Sequence, residues 1–231
     1  MLKIKGLNQF YGESHILWDI DLEIPQGKCL CIMGRNGVGK TTLLKTIMGL
    51  LPARSGSIAF GEQSISDRPS AFRAHAGIGY VPQGREIFPQ LTVEENLRVG
   101  LFARADKQRD TPREIFELFP VLKQMLSRKG GDLSGGQQQQ LAIGRALAID
   151  PKMLILDEPT EGIQPNIIQE IGEIITHLNK ERKLTVLLVE QKLKFTRKTA
   201  ESFCIMDKGR MVADGAMEEL DDALVNRYLT V

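Results

Sequence analysis

One short segment, GRNGVGKT at 34–41, limits what this chain can fold into more than any other. It lies between a brief apolar run, Lys28–Met33, and a stretch of helix formers, Lys40–Leu50, that stops at the breaks Pro52 and Gly56. A glycine loop between a strand and a helix leaves backbone N–H groups unpaired at the positive end of the helix, where they converge on an anion. Gly34, Gly37 and Gly39 give the chain the freedom to wrap that anion, Lys40 adds a point charge, and the Thr41 hydroxyl suits a hard cation. The expectation is a nucleoside triphosphate, ATP, held with magnesium (Mg2+) by Gly34, Arg35, Asn36, Gly37, Val38, Gly39, Lys40, Thr41 and Thr42.

Two further segments fit that expectation. MLILDE at 153–158 reads as a buried strand ending in two carboxylates. Asp157 would hold the magnesium beside Thr41. Glu158, at the C-terminal edge of the sheet, is the candidate for polarising an attacking water. LSGGQ at 133–137 leads straight into a helix. Ser134, Gly135, Gly136 and Gln137 offer a second anion site there, although a serine followed by glycines also makes an ordinary helix cap.

Strand and helix signals alternate around these segments. LKIKGL and HILWDIDLEI read as strands joined by a turn at Tyr11–Gly12, GSIAFGEQSI as a hairpin, and IGYVP as a buried strand. From Gly84 to Leu133 the periodicity becomes helical, in LTVEENLRVGLFA and PREIFELFPVLKQML, with Thr92 and Thr111 as N-cap candidates. After that insertion come QQLAIGRALAI as helix, LTVLLVE as strand and NIIQEIGEIITHLNKER as helix. FCIMDKGRMVADG reads as a hairpin turning at Asp207–Gly209, and MEELDDALVNRYL as an amphipathic helix. Strands alternating with helices of this length give an α/β fold of P-loop NTPase type, its mainly parallel sheet flanked by helices, with N-terminal antiparallel strands. One domain over 1–231 is expected, with 1–83 and 148–231 as core and 84–147 as a helical subdomain, leaving no room for an appended regulatory domain.

Composition excludes several alternatives. Lys+Arg is 30 and Asp+Glu is 29, so no concentrated basic character points to a nucleic acid. No apolar run approaches the roughly 20 residues that cross a bilayer, and the N-terminus lacks the apolar centre of a signal peptide. Cys29, Cys31 and Cys204 lack metal spacing; the first two share a strand face as core residues.

With the three segments in this order, the sequence resembles the ATP-binding cassette family over essentially its whole length. The resemblance makes GRNGVGKT the Walker A loop, MLILDE the Walker B strand and LSGGQ the signature loop. It makes Gln83, in YVPQG, the glutamine that touches magnesium and senses a transmembrane partner. Tyr11 falls where the family stacks an aromatic on adenine, with Phe10 as its rival and Trp18 as a packing residue. It also implies that two cassettes meet head to tail, with each ATP between one chain's Walker A loop and the other chain's Ser134-type loop.

Two positions depart from the family pattern. VEQ places Gln191 where a histidine usually stands; an amide exchanges hydrogen bonds but cannot shuttle a proton. EGIQP places Gln164 where the family usually has aspartate. Both changes bear on how fast this chain's own site turns over. VEQ, Pro165 and GREIFPQLTVEENL resemble one of the two ATPases of branched-chain amino acid importers, and GRNGVGKTT, VPQGREIFP and EGIQP the urea-importer ATP-binding subunit. The implied partners are a second, different ATPase chain (a homodimer in isolation), transmembrane permease subunits and, indirectly, a periplasmic solute-binding protein. The implied location is the cytoplasmic face of the inner membrane, peripherally bound. Two rival readings are a non-transport cassette ATPase of repair or translation and a weakly hydrolysing regulatory module.

Overall fold

The structure is a computed structural model describing residues 1–104, 106 and 108–230. Its centre is a six-stranded sheet in the order β10-β9-β3-β8-β7-β6, built from β3 (Cys29–Met33), β6 (Ile78–Val81), β7 (Met153–Asp157), β8 (Thr185–Val189), β9 (Ser202–Asp207) and β10 (Arg210–Ala216). All neighbours pair in parallel except β10, which runs antiparallel to β9 at the edge. A second sheet, ordered β2-β1-β4-β5, is antiparallel throughout and combines β1 (Leu2–Tyr11) and β2 (Ser14–Ile24) with β4 (Ser55–Phe60) and β5 (Gln63–Ser64).

The central strands are apolar on both faces because both faces are covered. Cys29, Cys31, Met33, Leu154, Leu156, Val186 and Leu188 point into one core with α3 (Val93–Leu101), α6 (Gly135–Leu147) and α7 (Pro165–Lys180). Leu30, Ile32, Met153, Ile155, Leu187 and Val189 point into the other, against α1 (Lys40–Ile47) and the antiparallel sheet. Helices therefore cover one face, while the second is shared between α1 and strands. Burial in the first core pushes the Cys29 thiol up to about 12, the behaviour of an inert packing residue.

Several local expectations need correction. Thr111 does not cap a helix: α4 (Arg113–Leu118) starts after Pro112, whose ring fixes the entry angle and leaves Thr111 outside. The segment 112–126 is two helices, α4 and α5 (Pro120–Gln124), because Pro120 has no N–H to continue the first. The last segment likewise splits into a 3-10 turn at Met217–Glu219 and α9 (Asp222–Tyr228), with Asp221 capping the latter through the Leu224 N–H at 2.8 Å. Thr92 does cap α3, in a reciprocal box with Glu95. Two short helices without a sequence signal, α2 (Ser70–His75) and α8 (Leu193–Thr199), complete the chain.

Two contacts fix the phosphate loop in this framework. Arg73, buried on α2, donates to the Thr46 and Ile47 carbonyls at 2.9 and 2.6 Å, satisfying the C-terminal end of α1. Gly209, in the β9–β10 turn, accepts from the Trp18 N–H and donates to the Val38 carbonyl, both at 2.9 Å. It thereby ties β2 to the loop. Its φ of 75° lies in the left-handed region, and a Cβ there would collide with the Ile16 carbonyl. Gly209→Ala is expected to destabilise the fold by about 2 kcal/mol or more. A urea-unfolding midpoint unchanged from wild type would contradict that.

Candidate nucleotide site

The loop between β3 and α1 is wound by Gly34, Gly37 and Gly39, with φ of 149°, 79° and 111°. At Gly34 a Cβ would strike the Met206 carbonyl, so the loop lies directly on β9, whereas Gly37 faces open space. Among the described residues no hydrogen bond takes the N–H of Gly37, Gly39 or Lys40, which leaves these donors free at the start of α1. Lys40 is 5 % exposed and its Nζ donates to the carbonyls of Gly34 and Arg35, both at 2.8 Å. Its ammonium is thus held over the cradle. Burial lowers the Lys40 ammonium from its ordinary range, against the pull of Glu158 and Asp157.

The end of β7 brings the acidic pair to the same place. Glu158 Oε1 lies 3.8 Å from Lys40 Nζ, and its backbone N–H is pinned to the Val189 carbonyl at 2.9 Å. The residue has φ 48°, a strained conformation for a side chain-bearing residue and of the kind that clusters at active sites. Its Oε2 accepts no hydrogen bond among the described residues, so one carboxylate oxygen is free to take a proton.

Asp157 is 1 % exposed, and among the described residues neither of its oxygens has a hydrogen-bond partner of ordinary geometry. A buried carboxylate without partners is a deficit that a divalent cation makes good, so these residues fit magnesium. Burial pushes the Asp157 carboxyl up to about 6; the nearby Thr41 hydroxyl opposes this and Glu158 adds to it. The raised value means that the ligand-free fold holds this proton more tightly than the unfolded chain does. Stability is then lost as pH rises from the ordinary aspartate value of about 4 to about 6. Thermal melts between these pH values should show wild type falling relative to Asp157→Asn; parallel curves would contradict the assignment.

Gln191, at the end of β8, closes the constellation. Its Nε2 donates to Asn36 Oδ1 and to Glu158 Oε1, both at 2.6 Å. The residue that replaces the usual histidine therefore links the phosphate loop to the candidate base.

The side chains of the remaining site residues have other hydrogen-bond or stacking partners, or none, among the described residues. Gln83 Nε2 donates to Glu161 Oε2 at 3.0 Å rather than meeting Asp157. The loop that follows turns at Gly84 and is strained at Arg85 and Glu86, non-glycine residues with φ of 73° and 44°. Arg85 reaches the Glu161 carbonyl at 3.1 Å and Gln138 Oε1 at 3.5 Å. Ser134 and Gln137 form a reciprocal capping box at the start of α6, so the cap reading of LSGGQ holds. Among the described residues the N–H groups of Gly135 and Gly136 have no partner, and no hydrogen bond joins Ser134–Gln137 to residues 34–42. Tyr11 is 49 % exposed at the tip of the β1–β2 hairpin. Its rival Phe10 is stacked on His15 at 4.0 Å, and His15 on Trp18 at 3.5 Å. Arg35 donates to the Thr230 carbonyl near the other end of the chain.

Sequence reasoning missed Glu161, Arg85 and Glu190, because only the fold brings them to the site. Glu190, next to Gln191, was the one whose position offered a signal.

A phosphate cradle with a buried lysine, facing paired carboxylates at the C-terminal edge of a parallel sheet, defines a nucleotide hydrolase of the P-loop class. Comparison with known proteins narrows this. The ABC transporter family profile matches residues 17–161. The high-affinity branched-chain amino acid transport ATP-binding protein BraG of Pseudomonas aeruginosa is 42 % identical over 213 residues, covering 92 % of this chain and 91 % of its own. The lipopolysaccharide export system ATP-binding protein LptB of Escherichia coli is 34 % identical, covering 98 % and 95 %. Among solved structures, an ATP-binding cassette captured as a dimer in a post-hydrolysis state with ADP and phosphate aligns with TM-score 0.84 and 27 % identity, over 94 % of this chain and 99 % of that one. The chain belongs to the ABC transporter ATPase family, and it binds and hydrolyses ATP. Among the described residues no helix is long and apolar enough to cross a membrane.

Proposed function

We propose that this chain is the ATP-hydrolysing subunit of an importer for a small polar solute, branched-chain amino acids first and urea second. The observation that carries the hydrolytic part is the continuous line of contacts from Lys40 to Glu158, from Glu158 to Gln191 and from Gln191 to Asn36. The transported class rests on relatives: BraG, and a probable branched-chain amino acid transport ATP-binding protein LivF of Archaeoglobus fulgidus, 37 % identical over 95 % of this chain. The urea reading rests on the GRNGVGKTT, VPQGREIFP and EGIQP segments. Uptake into vesicles carrying the chain with its co-purifying membrane subunits tests both. ATP-dependent leucine uptake without urea uptake supports the first; the reverse supports the second; uptake of neither overturns both substrate readings.

In this proposal the free N–H groups of the loop and Lys40 hold the β- and γ-phosphates. Glu158 Oε2 accepts a proton as water attacks the γ-phosphorus and the bond to the β-phosphate oxygen breaks, releasing ADP and phosphate. Thr41, Asp157 and, after leaving Glu161, Gln83 would hold magnesium, which when bound neutralises charge on the β- and γ-phosphate oxygens. Among the described residues the N–H groups of Gly135 and Gly136 take no partner and the loop they open makes no hydrogen bond to this chain's own phosphate loop, which suits them to a second chain's ATP. A groove of about 620 Å³, lined by Tyr80, Ile87, Phe88, Val99 and Arg145 beside the strained Gly84–Glu86 loop, is the proposed seat for a membrane subunit. The chain would then sit peripherally at the cytoplasmic face, with 84–147 as its moving helical part.

Tyr11 is the proposed adenine platform, since it is exposed while Phe10 is already stacked. Tyr11→Ala is expected to weaken ATP binding by about 5- to 100-fold, the worth of one base–aromatic stack. Phe10→Ala should change it far less. Equilibrium titration that ranks the two the other way would reassign the platform.

A further inference from the structure

Glu190 stands beside the site but has no part in the mechanism above. It is 3 % exposed, an expensive place for a carboxylate unless every lone pair is used. Here each is. One oxygen accepts from both the N–H (3.1 Å) and the hydroxyl of Thr160, in the loop after Glu158. The other accepts from the N–H groups of Gln191 and Lys192, at 2.7 and 3.0 Å. Lys192 closes a second link between the same loops by donating to the Thr160 carbonyl at 2.8 Å. The far side of the Thr160–Gly162 loop is gripped by Gln83 and Arg85 through Glu161.

We propose that Glu190 is a positioning residue that fixes Gln191 against Glu158 and makes that geometry depend on the Thr160–Gly162 loop. A neutral, apolar strand end would have filled this space without burying a charge. The carboxylate is suited instead to hold two loops in one arrangement, because only an acceptor with several lone pairs takes donors from both at once. Movement of the Gln83–Arg85 segment would reach Gln191 through Glu161, Thr160 and Glu190, so the candidate base is oriented only when that loop is seated. The inference rests on the nucleotide site proposed above.

The test is a double-mutant cycle on steady-state ATP hydrolysis by the purified homodimer, with kcat and KM measured separately. Glu190→Gln presents an amide N–H2 to backbone donors and should lower kcat by about tenfold, with KM for ATP moving less than about twofold. In a Gln191→Ala background the same change should cost less than about twofold more. Glu190→Asp, which keeps the acceptors, should recover part of the loss. If Glu190→Gln does not fold, Thr160→Val carries the same cycle, with an expected drop of about threefold that vanishes in the Gln191→Ala background. The same factor lost in both backgrounds, a KM that rises in step with the loss, or a Gln191→Ala chain with wild-type kcat would each overturn the proposal. Full turnover by Glu158→Gln would instead overturn the site itself.

Discussion

Glu158→Gln is expected to lower steady-state ATP turnover by about 10²- to 10⁴-fold, the usual contribution of a positioned general base. ATP binding should stay within about twofold, because binding and chemistry draw on different atoms. In the proposed site the phosphates meet the loop N–H groups and Lys40, whereas Glu158 offers them no donor. The amide keeps the carboxylate's shape and can still accept from Gln191 through its oxygen, so the 2.6 Å contact survives while the proton acceptor is lost. Single-turnover hydrolysis with radiolabelled ATP, beside equilibrium binding of the same sample, separates the two effects. A turnover matching wild type would move the base elsewhere, and a parallel loss of binding would mean that Glu158 serves the cradle.

Lys40→Ala should act in the opposite way, on binding first. The ammonium sits 2.8 Å from two loop carbonyls, at Gly34 and Arg35, so its removal takes away a charge and also leaves both carbonyls without their donor. One charge-assisted hydrogen bond to phosphate contributes about 1.5–3 kcal/mol, which corresponds to about 10- to 100-fold in Kd. Loosening of the loop adds to that. Lys40→Arg is not expected to rescue, since a planar guanidinium cannot occupy a pocket shaped for a compact ammonium. Isothermal titration with ATP measures the effect. An affinity within threefold of wild type would contradict the placement of Lys40 at the phosphates.

What was legible in the sequence was local. Gly34 to Thr41, Met153 to Glu158 and Leu133 to Gln137 carry their chemistry within a few residues, so each could be read without the fold. The parallel sheet followed from the alternation of strand and helix signals, and Cys29 and Cys31 from the two-residue period of β3. Helix ends were less legible, because Pro112 and Pro120 punctuate a stretch whose apolar spacing looks continuous. The division of the second sheet face between α1 and strands was hidden for another reason: β1 and β4 are far apart in the chain, and neither predicts the other.

The site's wiring was hidden for the same reason. Gln191 meets Asn36 across 155 positions, Gln83 meets Glu161 across 78, and Glu190 meets Thr160 across 30. Gln191 was visible as a departure from the family pattern, but its role as a bridge was not. The structure changes the meaning of that departure: one amide nitrogen donates to two oxygens, which a neutral imidazole with a single N–H could not do from one atom.

The central claim is that ATP on this chain's Gly34–Thr42 loop is completed by the Ser134–Gln137 loop of another chain. Ser134→Arg tests it most directly, with ATP affinity measured on the dilute isolated chain and turnover measured on the concentrated homodimer, in which each copy lends the other its Ser134 loop. The account predicts affinity within about twofold of wild type and turnover reduced by more than about 100-fold, because the substitution blocks the second anion site and leaves the cradle intact. Loss of ATP binding by the isolated chain, or turnover that survives the substitution, would contradict it.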